Sequence, residues 1–151
     1  VHFALGMGYQ KIGLAFCWEL FRETEILTPV LARFFTVFPV CCRIGSAEEP
    51  GPDRTAGGNG SVCNPVAQAA VLEKAKTELN VLVGACMGSD LLFTAHSHAP
   101  VTTLFVKDRT LAHNPVGAIY TRYHLEALRR SGSSPIPEGG RGDVEGKLGL
   151  R

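Results

Sequence analysis

Hydrophobic and polar positions fall into short blocks with two different periods. Val1 to Tyr9 reads as the end of a helix closed by Gly8. Lys11 to Cys17, KIGLAFC, is an apolar run bounded by polar residues, the pattern of a buried strand. From Glu19 to Phe35 the spacing turns helical, with Leu20, Ile26, Leu27, Val30, Leu31 and Phe34 on one broad face. Pro29 lies inside that pattern and predicts a kink or break. Thr36 to Arg43 is β-rich and reads as a second strand, although Pro39 suits a strand poorly. Gly45 to Ser61 is polar and dense in Gly and Pro, hence a loop. Asn64-Pro65 is a cap followed by a residue suited to the first helical position, so Val66 to Thr77 is a predicted helix. Asn80 to Cys86 is the third strand. Ser89 or Asp90 opens a short helix to about His96, and Val101 to Lys107 is the fourth strand. Asn114-Pro115 repeats the cap signature and predicts a helix to about Arg130.

Strands alternating with helices require crossover connections and a mostly parallel sheet. Right-handed crossovers put helices on both faces. The expected fold class is α/β, a three-layer doubly wound, mostly parallel four-stranded sheet of Rossmann or flavodoxin-like kind. The expected strand order is 2-1-3-4, with the switch point between the first and third strands. Residues 1–130 form the expected single α/β domain. Residues 131–151, rich in Gly, Pro and Ser, form the expected flexible tail.

Composition narrows the function classes. The chain has 151 residues, 45% of them hydrophobic, enough for one real core. Fifteen basic against fourteen acidic residues give a formal net charge of +1, with no basic stripe of the kind nucleic acid requires. No unbroken apolar segment reaches the ~18 residues of a membrane span. No basic region followed by an apolar one opens the chain, so a cytoplasmic protein is expected. The start at Val1 suggests a fragment or a processed product. Five cysteines are an odd count, which argues against a closed disulfide framework.

The cysteines carry the candidate chemistry. Cys17, Cys41, Cys42 and Cys86 fall at predicted strand ends, and Cys63 immediately precedes a capped helix. In a parallel sheet the carboxyl ends share one edge, where ligands bind. Lys107, Asp108 and His113 follow the fourth strand to the same edge. Orphan N–H groups at helix starts lower a thiol's pKa, and the thiolate is both metal ligand and nucleophile. Three readings follow. Cys17, Cys42, Cys63 and Cys86 could bind zinc or an iron–sulfur cluster, with redox or sulfur chemistry, though no C-x-x-C pair is present. Cys86 could be a nucleophile on the turn Gly84-Ala85-Cys86-Met87-Gly88, with His113 as base and Asp108 as its orienter. A non-catalytic module could hold a small anionic ligand, a phosphate or carboxylate, through Lys107, Asp108, Arg109 and the His113-Asn114-Pro115 turn, with Asn64 and Asn114 at the two Asn-Pro helix starts. Strand alternation turns Cys41 away from any pocket that holds Cys42. A homo-oligomer is compatible with all three.

The ordered blocks KIGLAFC, VCCRIG, CNPVAQA, LNVLVGACMGSD, APVTTLFVKDR and LAHNPVGAIY resemble a family of small bacterial and archaeal proteins, the domain of unknown function 1847, often labelled metal-binding. The resemblance spans about Met7 to Tyr120. It maps the family's cysteines onto Cys17, Cys42, Cys63 and Cys86 and leaves Cys41 without a counterpart. Family members usually carry a longer, Cys-rich N-terminal extension, which this chain lacks. Where the family pattern continues G-x-C-x-G-H-D, this chain has Ser89 in place of the His. The resemblance implies no established reaction.

Overall fold

The structure is a computed structural model describing residues 1–45, 63–123 and 125–126. Most of the predicted Gly/Pro loop and the whole predicted tail, residues 131–151, lie outside the described residues. The chain divides into a unit spanning Val1–His113 and a second beginning at Asn114.

The first unit contains helix α1 (His2–Gly6), strand β1 (Lys11–Phe16), a 3-10 turn (Trp18–Leu20), helix α2 (Phe21–Leu31) and strand β2 (Thr36–Cys41). Helix α3 (Pro65–Lys74), strand β3 (Leu79–Val83), helix α4 (Ser89–His96) and strand β4 (Val101–Phe105) complete it. All strand pairs are parallel and the order is β2-β1-β3-β4, the expected 2-1-3-4. Leu14 of β1 pairs with Pro39 on one side and Val81 on the other. Pro39 therefore stands on an edge strand, where a missing N–H costs no interior ladder bond.

Side chains alternate across the sheet and build two cores. Ile12, Leu14 and Phe16 of β1 join Leu79 and Val83 of β3 against Ala4, Leu20 and Phe35. Ala15 and Leu82 face the other way, against Ala69 and Leu72 of α3 and Phe93 of α4. Both faces are thus covered, as a doubly wound sheet requires.

Three local features differ from expectation. Helix α2 runs through Pro29 and ends two residues later, at Leu31. Its inward line is Leu20, Thr24, Leu27 and Leu31, whereas Ile26, Val30 and Phe34 are exposed. Thr24 is buried because its hydroxyl donates to the Leu20 carbonyl at 2.9 Å, which removes the cost of burying it. In the second unit, α5 is Gly117–Tyr120, beginning three residues after Asn114; Arg122, Tyr123, Leu125 and Glu126 are helical as well, and residues 127–130 of the predicted helix lie outside the described residues. Within the first unit, Ala112 and His113 have positive φ, so the chain turns sharply just before the Asn-Pro pair.

Candidate functional site at the carboxyl edge of the sheet

Cys17 follows β1, Cys42 follows β2, Cys86 lies three residues beyond β3, and Cys63 leads into α3. Parallel topology collects these ends, and all four cysteines line one cavity of about 10 Å³ together with Gln68 and Ser89. That space admits about one water-sized occupant. Cys41, one residue before Cys42, instead lines an apolar groove with Phe21 and Pro39. The five cysteines are all free thiols.

Local structure fixes each sulfur. The Cys17 carbonyl accepts the Leu20 N–H at 2.8 Å, closing the 3-10 turn on which Cys17 sits. Gly84, at φ +65°, lets the chain leave β3 against Leu20; any Cβ there would overlap the Leu20 side chain. Asn64 caps α3 by accepting the Ala67 N–H at 3.0 Å, as its sequence position predicts. Its own N–H donates to the Cys42 carbonyl at 2.6 Å. Gln68, buried in α3, donates to the carbonyls of Val40 at 2.8 Å and Phe16 at 3.3 Å. It thereby ties together the ends of β1 and β2 beneath the sulfurs.

The polar contacts are specific. Lys107 Nζ donates to Cys17 Sγ at 3.3 Å and to Cys86 Sγ at 3.5 Å. The same ammonium pairs with Glu19 at 3.1 Å, and its side chain is only 10% exposed. Arg109 closes on both Glu19 carboxylate oxygens. The Trp18 N–H donates to Cys42 Sγ at 3.4 Å, and Cys63 Sγ lies 3.5 Å from Cys42 Sγ. Cys42 is buried and Cys63 exposed.

These contacts set the charge pattern. Hydrogen bonding from the Cys42 thiol lowers the Cys17 pKa to about 5, helped by the Glu19 N–H and Lys107 against the opposing effect of burial. Cys42 is shifted the opposite way: sharing its proton with Cys17, and burial, push it up. Negative charge in the pair is thus favoured on Cys17, the sulfur in contact with the Lys107 ammonium. Arg109 chiefly, with Lys107, holds Glu19 down to about 2. Burial works against the Lys107 charge, but Glu19 and the sulfurs prevail and raise its pKa.

Other predicted site residues are placed differently. His113 Nδ1 accepts the Asp108 N–H at 3.1 Å, and its ring lies 5.9 Å from that of Phe105. The Asp108 carboxylate accepts the N–H groups of Thr110 and Leu111. Cys86 Sγ accepts a hydrogen bond from Lys107 Nζ. Asn114 belongs to the second unit, where its carbonyl accepts the Gly117 N–H. Glu19 and Gln68 were not singled out by sequence. A Gln among the alanines of a helix that packs on a sheet is the faint signal that Gln68 gave. Among the described residues, no group of three or more His, Cys, Asp or Glu donors is arranged to hold a metal ion. No helix among them is long and apolar enough to cross a membrane.

An all-parallel α/β sheet whose carboxyl edge gathers four thiols beside a lysine defines a thiol-bearing α/β protein. The chain belongs to the family described as "Protein of unknown function (DUF1847)", which matches residues 1–104. It is 43% identical over 131 residues to an uncharacterized protein of Methanocaldococcus jannaschii, covering 85% of this chain and 68% of that protein. No solved structure matches it.

Proposed function

We propose that the sheet edge is a thiol-dependent reaction site, with Cys17 Sγ as the nucleophile and Lys107 as the cation that stabilises its thiolate. The observation that carries this reading is the Lys107 ammonium, nearly buried and in contact with the sulfurs of Cys17 and Cys86. A cation so placed favours thiolate over thiol, and the thiolate is the reactive form. Cys17 rather than Cys86 is assigned the attack because Cys42 and the Glu19 N–H also donate to it. An atom-sized cavity suits a small, soft electrophile. The step is attack on the S–S bond of a persulfide: a bond forms from Cys17 Sγ to the outer sulfur. The donor's S–S bond breaks, and the donor leaves as a thiolate with the electron pair.

A second reading is supported by the four sulfurs sharing one small cavity. Cys17, Cys42, Cys63 and Cys86 would hold a single soft ion such as zinc, with Lys107 and the Trp18 N–H as outer hydrogen-bond donors to the sulfurs. The thiol donor set fits the ion chemically, and the cavity suits one atom better than an iron–sulfur cluster. The side chains must rearrange to complete a ligand set, because no three donors are ready-placed among the described residues.

Anaerobic purification followed by metal analysis, and by thiolate absorbance at about 240 nm against pH, separates the two. Metal-free protein with an absorbance step near pH 5 that disappears in Cys17→Ser supports the nucleophile. Stoichiometric zinc, or a brown iron-containing protein, overturns it in favour of the metal.

A further inference from the structure

We propose that Cys42 and Cys63 form a reversible disulfide, with the exposed Cys63 as the thiol that meets the oxidant. Their Sγ atoms are already in contact at 3.5 Å. A disulfide needs ~2.04 Å between sulfurs, a closure that side-chain rotation supplies when the backbone is correctly spaced. The backbone is held independently of the sulfurs. The Asn64 N–H, one residue after Cys63, donates to the Cys42 carbonyl at 2.6 Å, and the Asn64 side chain caps α3. Accessibility gives the order of events: Cys63 is exposed, whereas Cys42 is 6% exposed.

With hydrogen peroxide as oxidant, the Cys63 sulfur attacks one oxygen. An S–O bond forms, the O–O bond breaks, and one water leaves, giving a sulfenic acid. The Cys42 sulfur then attacks the Cys63 sulfur, the S–O bond breaks, and the second water leaves. Two thiols have lost two electrons and two protons, and one peroxide has become two waters. An external thiol reverses the bond by exchange. The inference stands on the Cys42–Cys63 contact and does not require Cys17 to be the nucleophile.

The test uses the full chain, reduced, stripped of metal with a chelator, and treated with one equivalent of hydrogen peroxide. Free thiols are then alkylated and the protein is digested with trypsin, which cuts at Arg43 and Arg54 and so separates the two cysteines. The expected product is a linked Cys42–Cys63 peptide pair, about 2 Da lighter than the two reduced peptides together. It returns to the reduced peptides with dithiothreitol, persists in Cys17→Ser and is lost in Cys63→Ser. Linkage to another cysteine, a dimer joined through Cys63, or over-oxidised Cys63 with no linkage overturns the proposal. Because Cys63 is exposed, Cys63→Ser keeps the fold, and its thiolate absorbance step reports Cys17 separately. Either reading can therefore fail without the other.

Discussion

Lys107 Nζ lies 3.3 Å from Cys17 Sγ across 90 positions of sequence, although their strands, β4 and β1, do not pair with each other. The lysine reaches over the end of β3, where Cys86 takes a second hydrogen bond, and Glu19 holds the ammonium from the far side. A parallel sheet makes this possible, because all four strands end at one edge.

Lys107→Met keeps the length of the apolar stem and removes the charge. The Cys17 thiolate then loses one of its donors, and its pKa rises from about 5 toward the ordinary thiol range. The absorbance step at about 240 nm should move to higher pH by one unit or more. Glu19 keeps Arg109 as its partner, so the variant should fold. An unmoved step would remove Lys107 from the electrostatics of the site.

Gln68→Leu tests the polar tie beneath the sulfurs. Leucine fills similar space but leaves the carbonyls of Phe16 and Val40 without the Gln68 donor. The Phe16 carbonyl keeps the Cys42 N–H at 2.9 Å, so the cost is that of the lost amide bonds, about 0.5–1.5 kcal/mol each. Urea denaturation under reducing conditions should show that loss with an unchanged dependence on denaturant. A neutral result would mean that water or another donor replaces the amide.

The architecture was legible because its signals are local. Short apolar runs marked the strands, Asn64-Pro65 marked the start of α3, and alternation of the elements led to the parallel order. The gathering of Cys17, Cys42, Cys63 and Cys86 followed from that order alone. What stayed hidden depends on tertiary partners. The buried line of α2 includes Thr24, which is polar until its hydroxyl bonds the Leu20 carbonyl. Ile26 and Val30 are apolar yet exposed. Glu19 looks like any surface acid until Lys107 and Arg109 arrive from the end of β4. The Gly84-to-Gly88 turn pointed to Cys86 as nucleophile, whereas the strongest donors converge on Cys17.

The Cys17 thiolate makes stability depend on pH in a defined direction. Its pKa is depressed in the folded protein, from 9.0 to about 5, so the unfolded chain binds more protons between those values. Its contribution is full above the unfolded pKa and is lost as pH falls through about 5. Cys42 is raised, so it acts in the opposite sense, but only as pH climbs above its ordinary range. Wild type and Cys17→Ser should therefore differ least near pH 5. The gap should grow by on the order of 1–2 kcal/mol toward pH 8, read by chemical denaturation with a reductant present. A pH-independent gap would show that Cys17 stays protonated.

Gly84→Ala and Gly8→Ala together separate backbone strain from steric overlap. Both glycines have positive φ, +65° and +75°, so alanine is disfavoured at each by about 1 kcal/mol. At Gly8 nothing lies within 4 Å of the added methyl, and the cost should stop there. At Gly84 the methyl meets the side chain of Leu20, which is fully buried. Displacing it adds roughly 1–3 kcal/mol of overpacking, for a total of about 2–4 kcal/mol. The disturbance should also reach the site, because the Leu20 N–H bonds the Cys17 carbonyl. Thermal or urea denaturation should rank Gly84→Ala well below Gly8→Ala. In Gly84→Ala alone, the Cys17 absorbance step should broaden or shift. Equal losses at the two positions would mean that Leu20 moves freely and that the turn after β3 is not clamped against the Cys17 turn.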